Sequence, residues 1–154
     1  MEVNGYKIEP RADLRVANLQ EANLAGTNLQ EANLQEANLA GTNLQETNLF
    51  GANLRKADLR VANLQEANLN FANLNFADLG VADLRGTNLK EAKLIRAKLQ
   101  EANLTGANLQ RANLFEANLR KANLTGAKLT EAGSREAKWD ESTIWPEGFT
   151  PPEQ

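Results

Sequence analysis

Leucine occupies every fifth position from Leu14 to Leu129 without interruption, which gives 24 consecutive units of the form Ala-Asn-Leu-x-x or a close variant. A fixed short period makes the chain an array of one repeated local solution, and the fold follows from what that unit must bury. An α-helix turns about 100° per residue, so a five-residue step rotates each leucine by about 140° and scatters the column around the cylinder. A flat strand alternates its side chains, so an odd period throws successive leucines to opposite sides. Neither leaves one apolar face. If the chain instead turns a corner after every unit, each Leu and the Ala two before it point to one interior, while Asn and the two variable residues face outward. The sequence therefore predicts an all-β solenoid, whose stacked coils exchange backbone hydrogen bonds at a spacing of about 4.8 Å and close each other's edges.

These residues also carry a family resemblance. Units such as Ala17-Asn18-Leu19-Gln20-Glu21 and Ala52-Asn53-Leu54-Arg55-Lys56 resemble the A(D/N)LXX motif of the pentapeptide repeat proteins, and the match runs from residue 12 to about 131. The resemblance implies a right-handed quadrilateral β-helix with four units per 20-residue coil, here about six full coils and a degenerate seventh. Internal copies do not mark the coil: ADLRVANLQEANL recurs at 12–24 and 57–69, and EANLAGTNLQE at 21–31 and 36–46, so duplication respects the five and ignores the twenty. On this reading residues 1–11 form an N-terminal cap, 12–131 the solenoid, and 132–154 a degenerate coil and C-terminal cap.

A solenoid exposes an apolar cross-section and an unpaired strand at each end, so both ends need covering. The N-terminal candidates are Tyr6 and Ile8 together with Val3, followed by Pro10 at an edge position that needs no ladder donor. At the other end the five-residue phase runs on through Ser134, Trp139, Ile144 and Phe149, with Trp145-Pro146-Glu147-Gly148-Phe149 folding over the opening; a short helix in 134–142 is the competing reading. Trp139, Ile144, Trp145 and Phe149 are the expected capping residues, since large aromatic surfaces suit the task of covering leucine. The segment WPEGFTPP resembles the terminus of some short cyanobacterial members of the same family.

Composition removes many functions. There is no cysteine and no histidine, so thiol chemistry, disulfides, Cys or His metal sites and imidazole acid-base catalysis are excluded. No Walker loop or dinucleotide-binding turn is present; the glycines at 26, 41, 51, 86, 106 and 126 share one outer position of the unit. Asp13, Asp58, Asp78 and Asp83 stand in an outward column without a cleft around them. No cofactor, metal or small-molecule substrate is expected, and the chain reads as a non-enzyme. Net charge is −3, from 17 basic and 20 acidic residues intermingled at close range, which gives no basic groove for nucleic acid. No run of 18 apolar residues marks a membrane span, and the expected location is the cytoplasm.

The inward Ala position admits only Thr, at Thr27, Thr42, Thr47 and Thr87, each expected to bond a nearby turn carbonyl. Stacking at 20 residues pairs Asp78 with Lys98, Arg96 with Glu116 and Glu101 with Lys121. Outward apolar residues are few: Phe50, Val61, Phe71, Phe76, Val81, Ile95 and Phe115. Of these, Phe71, Phe76, Val81, Ile95 and Phe115 are expected to form a partly continuous patch for self-association or for an unknown protein partner. The leading expectation is a structural or protein-interaction module. Two alternatives are gyrase modulation, which the resemblance implies because some family members act on DNA gyrase by resembling DNA, and ice binding, which flat Thr-rich β-helix faces perform. Against the first stand the balanced outer charge and the leucine centre, and against the second the sparse outward Thr105, Thr125 and Thr130.

Overall fold

The computed structural model describes residues 1–154, and it is a right-handed four-sided β-helix. Parallel bridges join each outward Asn-position residue to the one 20 residues on, as in Asp13 to Asn33, Asn18 to Asn38, Asn23 to Asn43 and Asn28 to Asn48. Four units thus complete one coil, a number that the five-residue period left open. We number the faces by their leucines: face 1 carries Leu14, Leu34, Leu54, Leu74, Leu94 and Leu114, and faces 2, 3 and 4 begin at Leu19, Leu24 and Leu29.

The unit Ala37-Asn38-Leu39-Ala40-Gly41 shows why this sequence folds so. The N–H of Ala37 closes the corner behind it onto the carbonyl of Leu34 at 3.0 Å. Asn38 donates to Ala17 on the coil below at 2.9 Å, and Leu39 and Gly41 donate to Asp58 and Arg60 on the coil above at 2.7 and 2.9 Å. The remaining donor, Ala40 N–H, is taken by the Asn38 side-chain Oδ1 at 3.1 Å. All five backbone donors are therefore bonded, which removes the penalty for an unpaired polar backbone beside an apolar core. Asn is favoured at its position because a short side-chain acceptor reaches the donor two residues on. Asp13, Asp58, Asp78 and Asp83 do the same. Lys93 has no acceptor, and the donor of Ile95 turns instead to Asn75 Oδ1 on the coil below at 2.9 Å.

Each corner is a turn closed by a bond from the Ala or Thr N–H to the carbonyl three residues earlier, that of Leu at every corner but the one after Ser134, and its third residue lies in the left-handed region, with φ between 55° and 69° from Val16 to Glu136. This is the type II pattern, and it places the repeat glycines at the position that favours them. Pro10 also stands in such a corner, between Glu9 and the positive-φ Arg11, closed by Ala12 N–H onto Glu9 at 3.3 Å. It belongs to a turn, where proline's fixed φ suits the second residue, and not to a strand edge as its sequence position suggested.

The interior holds the leucine ladders and their alanines, with nearly all of these side chains fully buried. Thr42, Thr47 and Thr87 are buried in alanine positions; Thr42 donates to Leu39 at 2.7 Å, Thr47 to Leu24 at 2.8 Å and Thr87 to Leu64 at 2.6 Å. The half-buried Thr27 bonds Leu24 at 2.7 Å, so all four hydroxyls meet turn carbonyls as expected.

The N-terminus is an antiparallel hairpin of β1 (Glu2–Val3) and β2 (Tyr6–Lys7). Its turn is Asn4-Gly5, both at positive φ, as a two-residue type I′ hairpin requires. The hairpin lays Val3 and Tyr6 against the first coil, with Ile8 buried behind them. At the far end no helix forms in 134–142, and the phase slips by one residue: Asn123 bridges to Ile144, not to residue 143. Thr143 thereby takes the inner alanine position, buried and donating to Leu119 at 2.9 Å, and Trp145 takes the leucine position. Ile144 occupies the outward Asn position and is 51% exposed, which corrects its assignment to the cap. The slip has a local cause, because Asp140 Oδ1 accepts from Lys121 and Ser142 N–H groups and rebuilds the corner with one more residue.

Candidate interaction surface

Apart from the four threonines in the inward Ala position, whose hydroxyls are spent on turn carbonyls, sequence variation within the solenoid lies on the corners and in the outward Asn column, so a functional side chain is there or on the caps. The outward apolar residues expected to form a partly continuous patch are divided among three corners of the rod. Phe71, Phe76 and Val81 follow Leu69, Leu74 and Leu79, so they stand on three successive corners of one coil, with Phe71 and Val81 at opposite corners. What remains contiguous is smaller. Phe76, Ile95 and Phe115 share the corner between faces 1 and 2, where Phe76 N–H bonds the Ile95 carbonyl at 2.9 Å; Val61 and Val81 share the next corner; Phe50 and Phe71 touch at 5.4 Å between centroids on the corner before. Two of the phenyl rings are also capped by arginine, Arg55 over Phe76 at 5.3 Å and Arg135 over Phe115 at 5.9 Å. Such stacking satisfies part of the ring's exposed face.

All the ion pairs but that of Arg135 with its neighbour Glu136 follow two rules, and only the first is visible as stacking at 20 residues. Between coils, Arg96 pairs with Glu116, Arg11 with Glu31 at 3.0 Å, and Arg111 with both Glu131 at 2.8 Å and Glu91 at 3.4 Å. Within a unit, every Asp-Leu-Arg triplet closes a two-pronged pair: Arg15 on Asp13, Arg60 on Asp58 and Arg85 on Asp83. The guanidinium grip, with the backbone N–H of the same arginine, holds these three carboxyls below the usual carboxylate range; burial opposes it only in part. Arg96 does the same for Glu116. For Asp140 burial pushes upward, but the Lys121 and Ser142 N–H groups and Thr143 outweigh it and leave the carboxyl lowered. Carboxylates so fixed are poor proton acceptors near neutral pH, and none lines a closed cleft. The expected pairs of Asp78 with Lys98 and Glu101 with Lys121 do not close; Asp78 accepts only the Gly80 N–H, at 3.0 Å.

Charge is also sorted along the axis. Residues 12–83 carry four basic and nine acidic side chains, whereas 84–138 carry eleven and five. Intermingling within each coil hid this at the level of total charge.

At the C-terminal end Trp145 lies edge-on to Trp139 with centroids 6.1 Å apart and stacks on Phe149 at 5.1 Å, while the tail crosses the opening and its Pro152 carbonyl accepts from Trp139 Nε1 at 2.9 Å. Between this cap and the last turn of face 4 lies a shallow cleft of about 340 Å³ lined by Ala127, Leu129, Pro146 and Phe149. No cluster of Asp or Glu is placed to hold a metal ion, and no helix is long and apolar enough to cross a membrane.

With this geometry in view, the comparisons are consistent with one another. The family profile described as pentapeptide repeats matches in eight copies over residues 10–35, 27–65, 62–100 and 92–131. Among solved structures, the pentapeptide repeat protein Rfr23 of the cyanobacterium Cyanothece is 45% identical with a TM-score of 0.60, over 60% of this chain and 63% of that one. HetL of the cyanobacterium Nostoc, a pentapeptide repeat protein involved in heterocyst differentiation regulation, is 42% identical with a TM-score of 0.52, over 83% of this chain and 62% of its own. A pentapeptide repeat protein of the Arabidopsis thaliana thylakoid lumen is 27% identical with a TM-score of 0.53, over 61% and 69%. The chain thus spans under two thirds of the length of the two cyanobacterial proteins. The comparison with curated proteins returned no match.

Proposed function

The chain belongs to the pentapeptide repeat family, and we propose that it works as a non-enzymatic, rigid interaction module that presents the corners and outward columns of its rod to a protein partner. The observation that carries this is the complete use of the unit. Leu and Ala fill the interior, and the regular unit commits all five backbone donors, so free chemistry is confined to the outer positions. The titratable groups that do share a cleft, such as Glu116, Glu136, Lys138 and Glu153, lie on the open outer surface without the enclosure that catalysis needs. HetL, which takes part in a regulatory process, fits such a role without naming the partner here.

The test is affinity capture with the folded chain as bait, comparing it with Phe76→Glu/Phe115→Glu. A protein retained by the native chain and lost with the double variant supports the module reading; turnover of any substrate, or no specific capture by either bait, overturns it. The cytoplasmic location expected from the sequence forms part of this proposal, and a fluorescent fusion collecting in another compartment would remove that part.

A further inference from the structure

Face 2 differs from the other three in the chemistry of its outward columns. Its central column runs Asn18, Asn38, Asp58, Asp78, Lys98, Asn118, Lys138, placing acid and base on adjacent coils. Faces 3 and 4 have one charged residue each in that column, Asp83 and Lys128, and face 1 has Asp13 and Lys93 four coils apart. Asp78 and Lys98 are stacked neighbours, yet neither belongs to any ion pair of the chain. Gly80 stands two residues after Asp78, where the other three aspartates of the outward columns have Arg, so among those four Asp78 alone is left without a cation. The column bordering it on the apolar corner runs Lys56, Phe76, Arg96, Glu116.

These two columns are self-complementary when one copy is turned end over end. Consider a two-fold axis lying across face 2, midway between the coils of Asp78 and Lys98. It sets Asp78 against the second copy's Lys98 and Lys98 against that copy's Asp78. In the bordering column the same operation sets Phe76 against Arg96, and Lys56 against Glu116, each twice. The like-charge oppositions it creates, Arg60 with Arg120 and Glu36 with Glu136, lie on the outer coils; Arg60 is already held by Asp58, and Glu136 by Arg135 at 3.3 Å. The sorting of acid to the early coils and base to the late ones favours the same antiparallel arrangement over a parallel one, which would oppose like halves.

We propose that face 2 is an isologous docking surface for a second copy of this chain, forming an antiparallel, salt-sensitive dimer in which the reciprocal Asp78–Lys98 pairs fix the register. This rests on the reading of the rod as an interaction module and names its partner. One flat face of a narrow rod is small as interfaces go, so the dimer is weak and dissociates on dilution. Its charged pairs lie in the contact, so it also weakens as salt shortens the Debye length from about 10 Å at 0.1 M to about 3 Å at 1 M.

The experiment is sedimentation equilibrium of the full chain with charge reversals at the two positions. The native protein should approach twice its 16.9 kDa mass at high concentration in low salt and return to monomer near 1 M salt. Asp78→Lys and Lys98→Asp should each be monomeric. Mixed together they should pair, since one then carries two cations and the other two anions on the register, and the double variant D78K/K98D should dimerise as the native chain does. Because both positions are outward, circular dichroism of each variant should match the native chain. A monomeric native chain overturns the proposal, as do single variants that dimerise unchanged, which would point to stacking through the Trp145 and Phe149 end, and single variants that fail to pair on mixing. Capture of a different protein is read with the monomeric Asp78→Lys chain as bait, apart from these results, so the module reading is judged on its own.

Discussion

At the scale of single residues, the outward Asn is a backbone acceptor and the third corner residue carries strain. Asn63 Oδ1 accepts from Gln65 N–H at 3.0 Å, and Asn63→Ala leaves that donor to water in a half-buried site. The expected loss is about 1 kcal/mol in urea unfolding, with Asn63→Asp much closer to neutral; equal effects of the two would show that the acceptor is not what matters. Val61 sits at φ 61°, where its branched Cβ is crowded, and Val61→Gly is expected to raise stability by about 1 kcal/mol despite glycine's greater unfolded freedom. A drop in melting temperature would contradict that. The shared outer position of the repeat glycines was visible in the sequence, but its meaning was not, because Glu, Lys, Arg, Val and Phe accept the same φ in this chain when the coils above and below hold the corner. The Asp-Leu-Arg pairs are hidden for a different reason: they arise not from stacking at 20 residues but because a corner folds residue i+2 back beside i.

At the scale of elements, the two ends solve the problem of the open coil differently. The N-terminal hairpin is legible in Asn4-Gly5 between Val3 and Tyr6, a two-residue turn signal independent of the apolar capping residues around it. The five-residue phase that the sequence carries from Ser134 through Phe149 is broken by the slip at Asp140, because a carboxylate in a corner can replace a ladder carbonyl and lengthen the turn. Trp139, Trp145 and Phe149 are nonetheless packed together across the opening, half-buried, while Ile144 is turned outward. The Trp145 indole Nε1 is buried without a hydrogen-bond partner. Trp145→Phe removes that donor while keeping a ring against Phe149, so it should leave the melting temperature nearly unchanged, whereas Trp145→Ala should lower it clearly. A large loss with Phe would mean that the N–H is satisfied in solution.

At the scale of the whole molecule, the rod's pH response follows from what it lacks and what its arginines hold. Asp58 and Asp83 titrate lower in the folded chain than an ordinary carboxyl, chiefly through Arg60 and Arg85. Their stabilising effect is therefore present above the unfolded carboxylate range, about pH 4, and is lost as pH falls through their lower folded values. With no histidine or cysteine, melting temperature should be flat from pH 5 to 8 and decline below about pH 4; a step near pH 6 would contradict this. The solenoid and its inward ladder were legible from the leucine period, whereas the number of sides came from family resemblance, since the internal copies shift by 15 and 45 residues. The bonds between coils run along the rod axis while the covalent chain runs around it. A pull on Gln154 therefore meets those bonds one corner at a time and not in parallel. Under tension the rod should yield as thread leaves a spool, at low and nearly constant force, with each released coil freeing 20 residues of slack before the next begins to turn.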